Sequence, residues 1–434
     1  MPWDTLIKNA LLFDGRADAP SQQDVAITGD QIAEVGPDLD ASNANEVVDA
    51  HGRWLMPGLW DIHTHLDLEV ELDPSLSEVV RHGTTTAVVA NCSIGVPVGR
   101  QNEDGHDPVV ACFARVEIIP KSVRRRVAQE ISWDDPKAYL EHFENMPLGA
   151  NVVPMIPHSM LRIEAMGLER AISEEPTELD LETMEGILEQ AMKDGYAGFS
   201  TDMLPFHYLS DDPHREKRIP ANHAPFSEVK RLTNVVRRYG RVWQATPEKD
   251  KPHNVLRWFM LSSGRFFGKP LKVTAVAALD VVTNRSLARM GVALTRIINS
   301  PFVDGRFRLQ ALAAPFRVYA DGAITPLSEE IPALRELNAI DLVDREARLA
   351  LLDDPEYLKR FRQMWFHDKK GFSRSRIKRS LQLMDDSFSR DLKDMVMTER
   401  PLPVWKGETL HDIYERLLDW QARPSGTGRV DRAG

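Results

Sequence analysis

Two histidines separated by one residue, His63 and His65, close an apolar-rich stretch that begins at Leu55, carries Pro57-Gly58 near its start and has Asp67 just beyond its end. A strand over Leu55 to His63 predicts that alternation brings both imidazoles to one face, where they can converge on one ion. Imidazole is the commonest nitrogen ligand for zinc, and two such ligands at a strand end leave positions open for water or substrate. A thiol comes from the next apolar run, in which Thr84 to Ala90 leads into Asn91-Cys92. A soft thiolate suits the same ion. His158 and His207 lie just after later apolar runs and are further candidate ligands, each with a competing reading as a hydrogen-bonded rim residue.

Such groups need a scaffold that holds strand ends together. Residues Leu6 to Phe13 alternate as a strand, Asp24 to Gly36 reads as a hairpin around Gly29-Asp30, and Glu46 to Ala50 reads as another strand before the turn His51-Gly52. This predicts a small β unit over residues 1–54. From Leu55 onward strand-like and helix-like segments alternate, the βα repeat of a parallel barrel. The strands expected are Leu55 to His63, Thr84 to Asn91, Asn151 to Ile156, Tyr196 to Ser200, Arg241 to Ala245, Leu271 to Ala277 and Arg306 to Ala313. The fold class expected is therefore α/β, a TIM-like (β/α)8 barrel over residues 55–320 with seven strands readable and the last one missing. Catalytic groups in such barrels sit at the C-terminal ends of strands. Residues 321–434 read as mainly helical, with amphipathic segments at Ala347 to Leu352, Ser373 to Met384 and Leu410 to Trp420.

Composition narrows the partners. The chain has 434 residues, 42% hydrophobic and 27% charged, which are globular values. With 54 basic against 65 acidic residues its formal charge is -11, which disfavours nucleic acid and anionic membranes and favours a small-molecule substrate. The basic run Lys121 to Arg126 reads as a solvated helix face, and His214 to Arg218 as an exposed loop. No apolar run approaches a membrane span, and the first residues lack a leader pattern, so a cytoplasmic location is expected. Two cysteines, Cys92 and Cys112, exclude a disulfide framework.

The pattern P-G-x-x-D-x-H-T-H-x-D around His63 and His65 resembles the first-strand signature of the amidohydrolase superfamily. His82-Gly83-Thr84-Thr85-Thr86 and Asn91-Cys92-Ser93-Ile94-Gly95 are similar to the H-G-x-T-T and N-C-x-x-G segments of the N-acyl-D-amino-acid deacylases, or D-aminoacylases. Val116 to Pro120, Pro157 to Arg162, Met166-Gly167 and Ala197 to Thr201 follow in family order, so the resemblance runs from about residue 5 to 320. It implies that the N-terminal strands form part of a β-sandwich. It also implies one or two zinc ions, with His63, His65 and Cys92 matching metal-site motifs, and hydrolysis of a linear N-acyl amino acid by zinc-bound hydroxide.

The sequence departs from the family in two places. Histidine ligands expected at the ends of strands five and six are missing from Arg241 to Thr246 and Lys272 to Val276. The late aspartate that moves protons has no match. Asp61, Asp67, Glu117 and Asp202 are the acids at hand, and the general base is unassigned. A substrate carboxylate needs a cation, for which Arg162 and Arg317 are the candidates. One alternative is a cyclic-amide hydrolase of the hydantoinase or dihydroorotase kind, against which stands the missing lysine at the end of strand four. Another is a shortened, non-catalytic relative acting as a binding protein. An incomplete barrel would expose apolar surface and give a reason to form a homo-oligomer.

Overall fold

The computed structural model describes residues 2–16, 19–99, 101, 107–116, 120–248, 252–276, 286–312, 329–366, 392–394, 396 and 407–421. The chain divides into two compact units. The first comprises Met1–His63, Asp73–Val88 and Pro147–Val152, and the second Thr64–Leu72, Val89–Met146 and Val153–Gly434.

In the first unit, β1 (Trp3–Leu12), β2 (Ser21–Thr28), β3 (Gln31–Gly36), β4 (Ala44–Asp49) and β5 (Trp54–Leu55) form one sheet in the order β3-β2-β1-β4, with β5 also on β1. The β2–β3 hairpin turns at Gly29, whose φ of 59° is a conformation only glycine adopts freely. Buried Leu6, Ala10, Val25 and Ala26 supply the sheet's apolar positions. A second sheet has the order β6-β7-β8, from β6 (Leu59–Asp61), β7 (Thr84–Val89) and β8 (Asn151–Pro154). Gly58 is obligatory beside it, because a Cβ there would lie 2.0 Å from the Thr85 hydroxyl.

The stretch expected as one strand from Leu55 to His63 is broken. Met56 to Gly58, with Pro57 unable to donate, separates β5 from β6, and β6 ends at Asp61. The Asp61 carboxylate accepts from the His63 N–H at 3.3 Å and turns the chain out of the strand. His63 and His65 therefore lie in the loop beyond β6, and strand alternation does not set their directions.

The second unit holds a parallel sheet of β9 (Ile156–Pro157), β10 (Gly198–Asp202), β11 (Val242–Thr246), β12 (Lys272–Ala275) and β13 (Arg306–Leu309), in the order β13-β12-β11-β10-β9. Its register lines up Ile156, Phe199, Trp243, Val273 and Phe307 as neighbours across five strands. None of the five exceeds 2% exposure, so one row of apolar side chains forms the spine of this core. One residue further along, the same register sets Ser200 beside Gln244, both fully buried and on the opposite face.

Helices follow the strands. Glu178–Asp194 starts at a capping box between Thr177 and Asp180 and stops at Gly195, with φ 119°. It packs on helix Phe226–Arg238. Beyond β13 the described residues are helical, with Pro332–Ala339, Arg345–Asp353, Pro355–Phe366 and Leu410–Gln421. Among them the only β pairing is an isolated bridge between Val396 and Thr409. The helix expected at Ser373 to Met384 lies outside the described residues.

Two surface expectations are corrected. In helix Lys121–Glu130, Arg125 and Arg126 face solvent, but Arg124 is buried and donates to the Phe113 carbonyl. His214 is buried and lies 3.0 Å from the Glu169 carboxylate.

Candidate metal site

The loop after β7 is held in an unusual conformation. Ala90, Cys92 and Ser93 have φ of 60°, 50° and 69°, a left-handed region that costs non-glycine residues energy unless the surroundings enforce it. Here β10 and β11 enforce it. Ser200 Oγ donates to the Ala90 carbonyl at 2.5 Å and accepts from the Ser93 N–H at 3.1 Å. Gln244 Oε1 accepts from the Cys92 N–H at 2.9 Å. The buried Asp67 carboxylate accepts from the Ala90 N–H at 3.1 Å, and Ser93 Oγ meets Ser159 Oγ at 2.7 Å. Gly95 completes the loop, because a Cβ there would lie 2.5 Å from the Ala90 Cβ and 2.8 Å from Asp67 Oδ1.

This loop presents the Cys92 thiol, which is half-buried and 3.2 Å from Thr246 Oγ1. Thr246 lies two residues beyond Gln244 on β11, so both project from one face of the strand toward the same cysteine. One donor atom each from His63, His65 and Cys92 lies within 4.8 Å of the others. Two imidazoles and a thiol form a nitrogen and sulfur set of the kind that holds zinc, and three protein ligands leave a coordination position for a substrate or water. The residues present fit the metal that the sequence implies. Cys112, by contrast, is a buried thiol whose pKa is pushed up by desolvation, so it packs as a small hydrophobe.

The other candidates from sequence stand outside this group. His158 opens helix His158–Met166, and its Nε2 lies 2.6 Å from Glu228 Oε1. Arg162, four residues on and on the same helix face, is fully buried and pairs with the other oxygen of Glu228. Its Nη2 also donates to the carbonyls of Ala171 and Glu174, so its guanidinium is committed to the core. His207 has a partner at each ring nitrogen, Asp202 Oδ2 at 2.8 Å and the Cys112 carbonyl at 3.2 Å. Arg317 and Glu117 lie outside the described residues.

Sequence reading missed Glu228. Burial pushes its carboxyl up, but the hydrogen bond from His158 and the charge of Arg162 together hold it below the usual carboxylate range. Its one signal in the sequence was an acid in the first turn of an otherwise amphipathic helix. Burial pushes the His158 pKa down, outweighing the carboxylate beside it.

No protein-family model matches the chain. It is 34% identical over 405 residues to an uncharacterized protein of Mycobacterium tuberculosis, covering 92% of this chain and 63% of that one. It is 29% identical over 202 residues to a D-aminoacylase of Alcaligenes xylosoxydans, covering 46% of this chain and 38% of the enzyme. The chain thus spans less than two thirds of the length of these relatives. Among solved structures, a D-aminoacylase described for its binuclear metal centre matches with TM-score 0.50 and 25% identity, over 64% of this chain and 52% of the other. An N-acyl-D-glutamate deacylase of Bordetella bronchiseptica, complexed with zinc and a phosphonate inhibitor, shares the fold with TM-score 0.56 and 21% identity, over 71% of this chain and 58% of the other. Over about half of its length the chain is thus similar in sequence to the Alcaligenes D-aminoacylase and, at 30% identity over 201 residues, to an N-acyl-D-glutamate deacylase of the same organism, covering 46% of this chain and 37% of the enzyme.

Proposed function

We propose that the protein is a metal-dependent amide hydrolase that removes the acyl group from a small N-acyl amino acid. The observation that carries this reading is the convergence of His63, His65 and Cys92 within 4.8 Å, in a chain similar to deacylases over about half of its length. These three residues would hold zinc, which supplies Lewis acidity to a scissile carbonyl. The chain's own contribution is preorganisation. Ser200, Gln244 and Asp67 fix the cysteine loop before any ligand arrives, and Thr246 holds the thiol in place. The parallel order of β9 to β13 supports a barrel scaffold that brings strand ends to one rim. Among the described residues no helix is long and apolar enough to cross a membrane.

The test is metal content by elemental analysis, run beside hydrolysis of a panel of N-acetyl and N-acyl D- and L-amino acids. We expect about one zinc or more per chain, its loss in His63→Ala and Cys92→Ala, and turnover that disappears with the metal. Zinc at full occupancy with no hydrolysis across the panel would replace the enzyme reading with that of a binding protein. Wild-type protein that takes up no zinc would overturn the metal assignment itself.

A further inference from the structure

The second unit contains a cavity of about 240 Å3 to which none of His63, His65 and Cys92 contributes. Its walls include His158, Asn222, Glu248, Asn254, Arg218 and Trp258. The chemistry of this wall is uneven. His158 is fully buried, and its Nε2 is turned to Glu228, which does not line the cavity. With Nε2 donating to the Glu228 carboxylate, a neutral ring keeps Nδ1 as an acceptor. Nδ1 is buried and has no hydrogen-bond partner among the described residues. A buried acceptor left unpaired costs about 1–3 kcal/mol, a cost that a ligand N–H would remove.

The neighbouring amides add to the same bias. Asn222 Nδ2 donates to the Asp202 carbonyl and Asn254 Nδ2 to Glu248 Oε2, which spends donor capacity and leaves amide oxygens as acceptors. Among the described lining residues Arg218 carries the one permanent positive charge, and it is solvent-exposed. Trp258 offers a ring face that attracts a cation. Several acceptors and a single cation on one cavity wall suit a ligand with several N–H donors and one carboxylate. A primary ammonium brings three donors, whereas an acylated nitrogen brings one.

Size narrows the class further. Ligand pockets for larger molecules run from about 300 to 1,000 Å3. At about 30 Å3 for each water-sized group, this cavity holds about eight. That matches an amino acid as small as alanine or serine.

We propose that this cavity binds a small free α-amino acid as its zwitterion, the ammonium on His158 Nδ1 and the neighbouring acceptors and the carboxylate on Arg218. The site does not depend on the hydrolase reading, and its test is therefore run without turnover. The full chain, stripped of metal by a chelator, is titrated calorimetrically with glycine, D-alanine, L-alanine and N-acetylglycine. The expected result is binding of free amino acids, with N-acetylglycine weaker by tenfold or more. Arg218→Ala, a change at an exposed position, should weaken alanine binding by about tenfold or more. In protein carrying 15N-labelled histidine, saturation should also move the His158 Nδ1 resonance, assigned through His158→Gln. The proposal fails if no free amino acid binds at concentrations up to about 10 mM, if Arg218→Ala binds as well as wild type, or if N-acetylglycine binds as tightly as glycine.

Discussion

Cys92 can present its thiol only because Gln244 accepts its N–H and Ser200 braces the residues on either side, at φ values that the side chains themselves disfavour. Gln244→Leu keeps the volume and removes the acceptor. We expect it to weaken zinc affinity by about 10–100-fold, the usual effect of losing a group that orients a ligand, as read by competition with a chromophoric chelator. Unchanged affinity would mean that the loop keeps its shape without β11. His158 carries a pH prediction. Its pKa is lowered by burial from 6.5, so below that pH the unfolded chain takes up the proton first, and the stability His158 contributes is lost as pH falls through the depressed native value. His223 is shifted the same way, also by burial. Glu228 starts from 4.5 and is lowered, so its own loss belongs to a separate, more acidic window. Melting temperature should therefore fall below pH 6.5, and the slope in His158→Gln should be shallower than in wild type. Equal slopes would assign the effect to His223 alone.

Elements carry the periodic information, and this is why most of them were legible in the sequence. The strands expected at Leu6 to Phe13, Thr84 to Asn91 and Arg241 to Ala245 match β1, β7 and β11 to within a few residues; β7 and β11 are near-continuous buried runs, as strands of a parallel sheet are, and it is their recurrence between helix-like segments that marks them. The strand expected from Leu55 to His63 breaks where Pro57 interrupts the ladder, so His63 and His65 converge from a loop. The partners of His158 and Arg162 were not legible, since Glu228 lies 70 and 66 residues away and no local period encodes that pairing. Left-handed residues at 90, 92 and 93 were equally silent, because none is a glycine. Gly95 is the exception, a motif residue whose reason is now visible in the close approach of Ala90 and Asp67. Gly95→Ala must push a Cβ into backbone and carboxylate, so it should cost about 1–3 kcal/mol, measured by urea unfolding, and lower metal occupancy with it. A variant as stable as wild type would show that the loop has room to shift.

At the scale of the whole chain, one buried arginine gathers segments that sequence places far apart. Arg115 donates through Nε to Glu329 Oε1 at 2.7 Å, pairs through Nη2 with Oε2, and donates through Nη1 to the carbonyls of Leu209 and Arg215 at 2.9 and 2.7 Å. Both side chains of the pair are at most 2% exposed. Arg335 returns to the Glu329 carbonyl at 2.6 Å, and both arginines lie over the Tyr208 ring, at 5.3 and 4.6 Å from its centroid. Burial pushes the Glu329 carboxyl up while Arg115 opposes it, so the acid depends on its partner to remain charged. The start of helix Pro332–Ala339 is thus tied to Arg115 and Tyr208 through Glu329 and Arg335, by a charge pair whose members are 214 residues apart. Removing one member strands the other. Arg115→Met should cost about 3–5 kcal/mol, the penalty of an uncompensated buried charge, whereas Arg115→Met combined with Glu329→Leu should recover most of it, since an apolar pair avoids desolvation altogether. Urea unfolding of the three proteins checks this. If the double variant is no more stable than the single one, the loss comes from the carbonyls of Leu209 and Arg215, and the guanidinium's role is to hold that loop rather than to neutralise the acid.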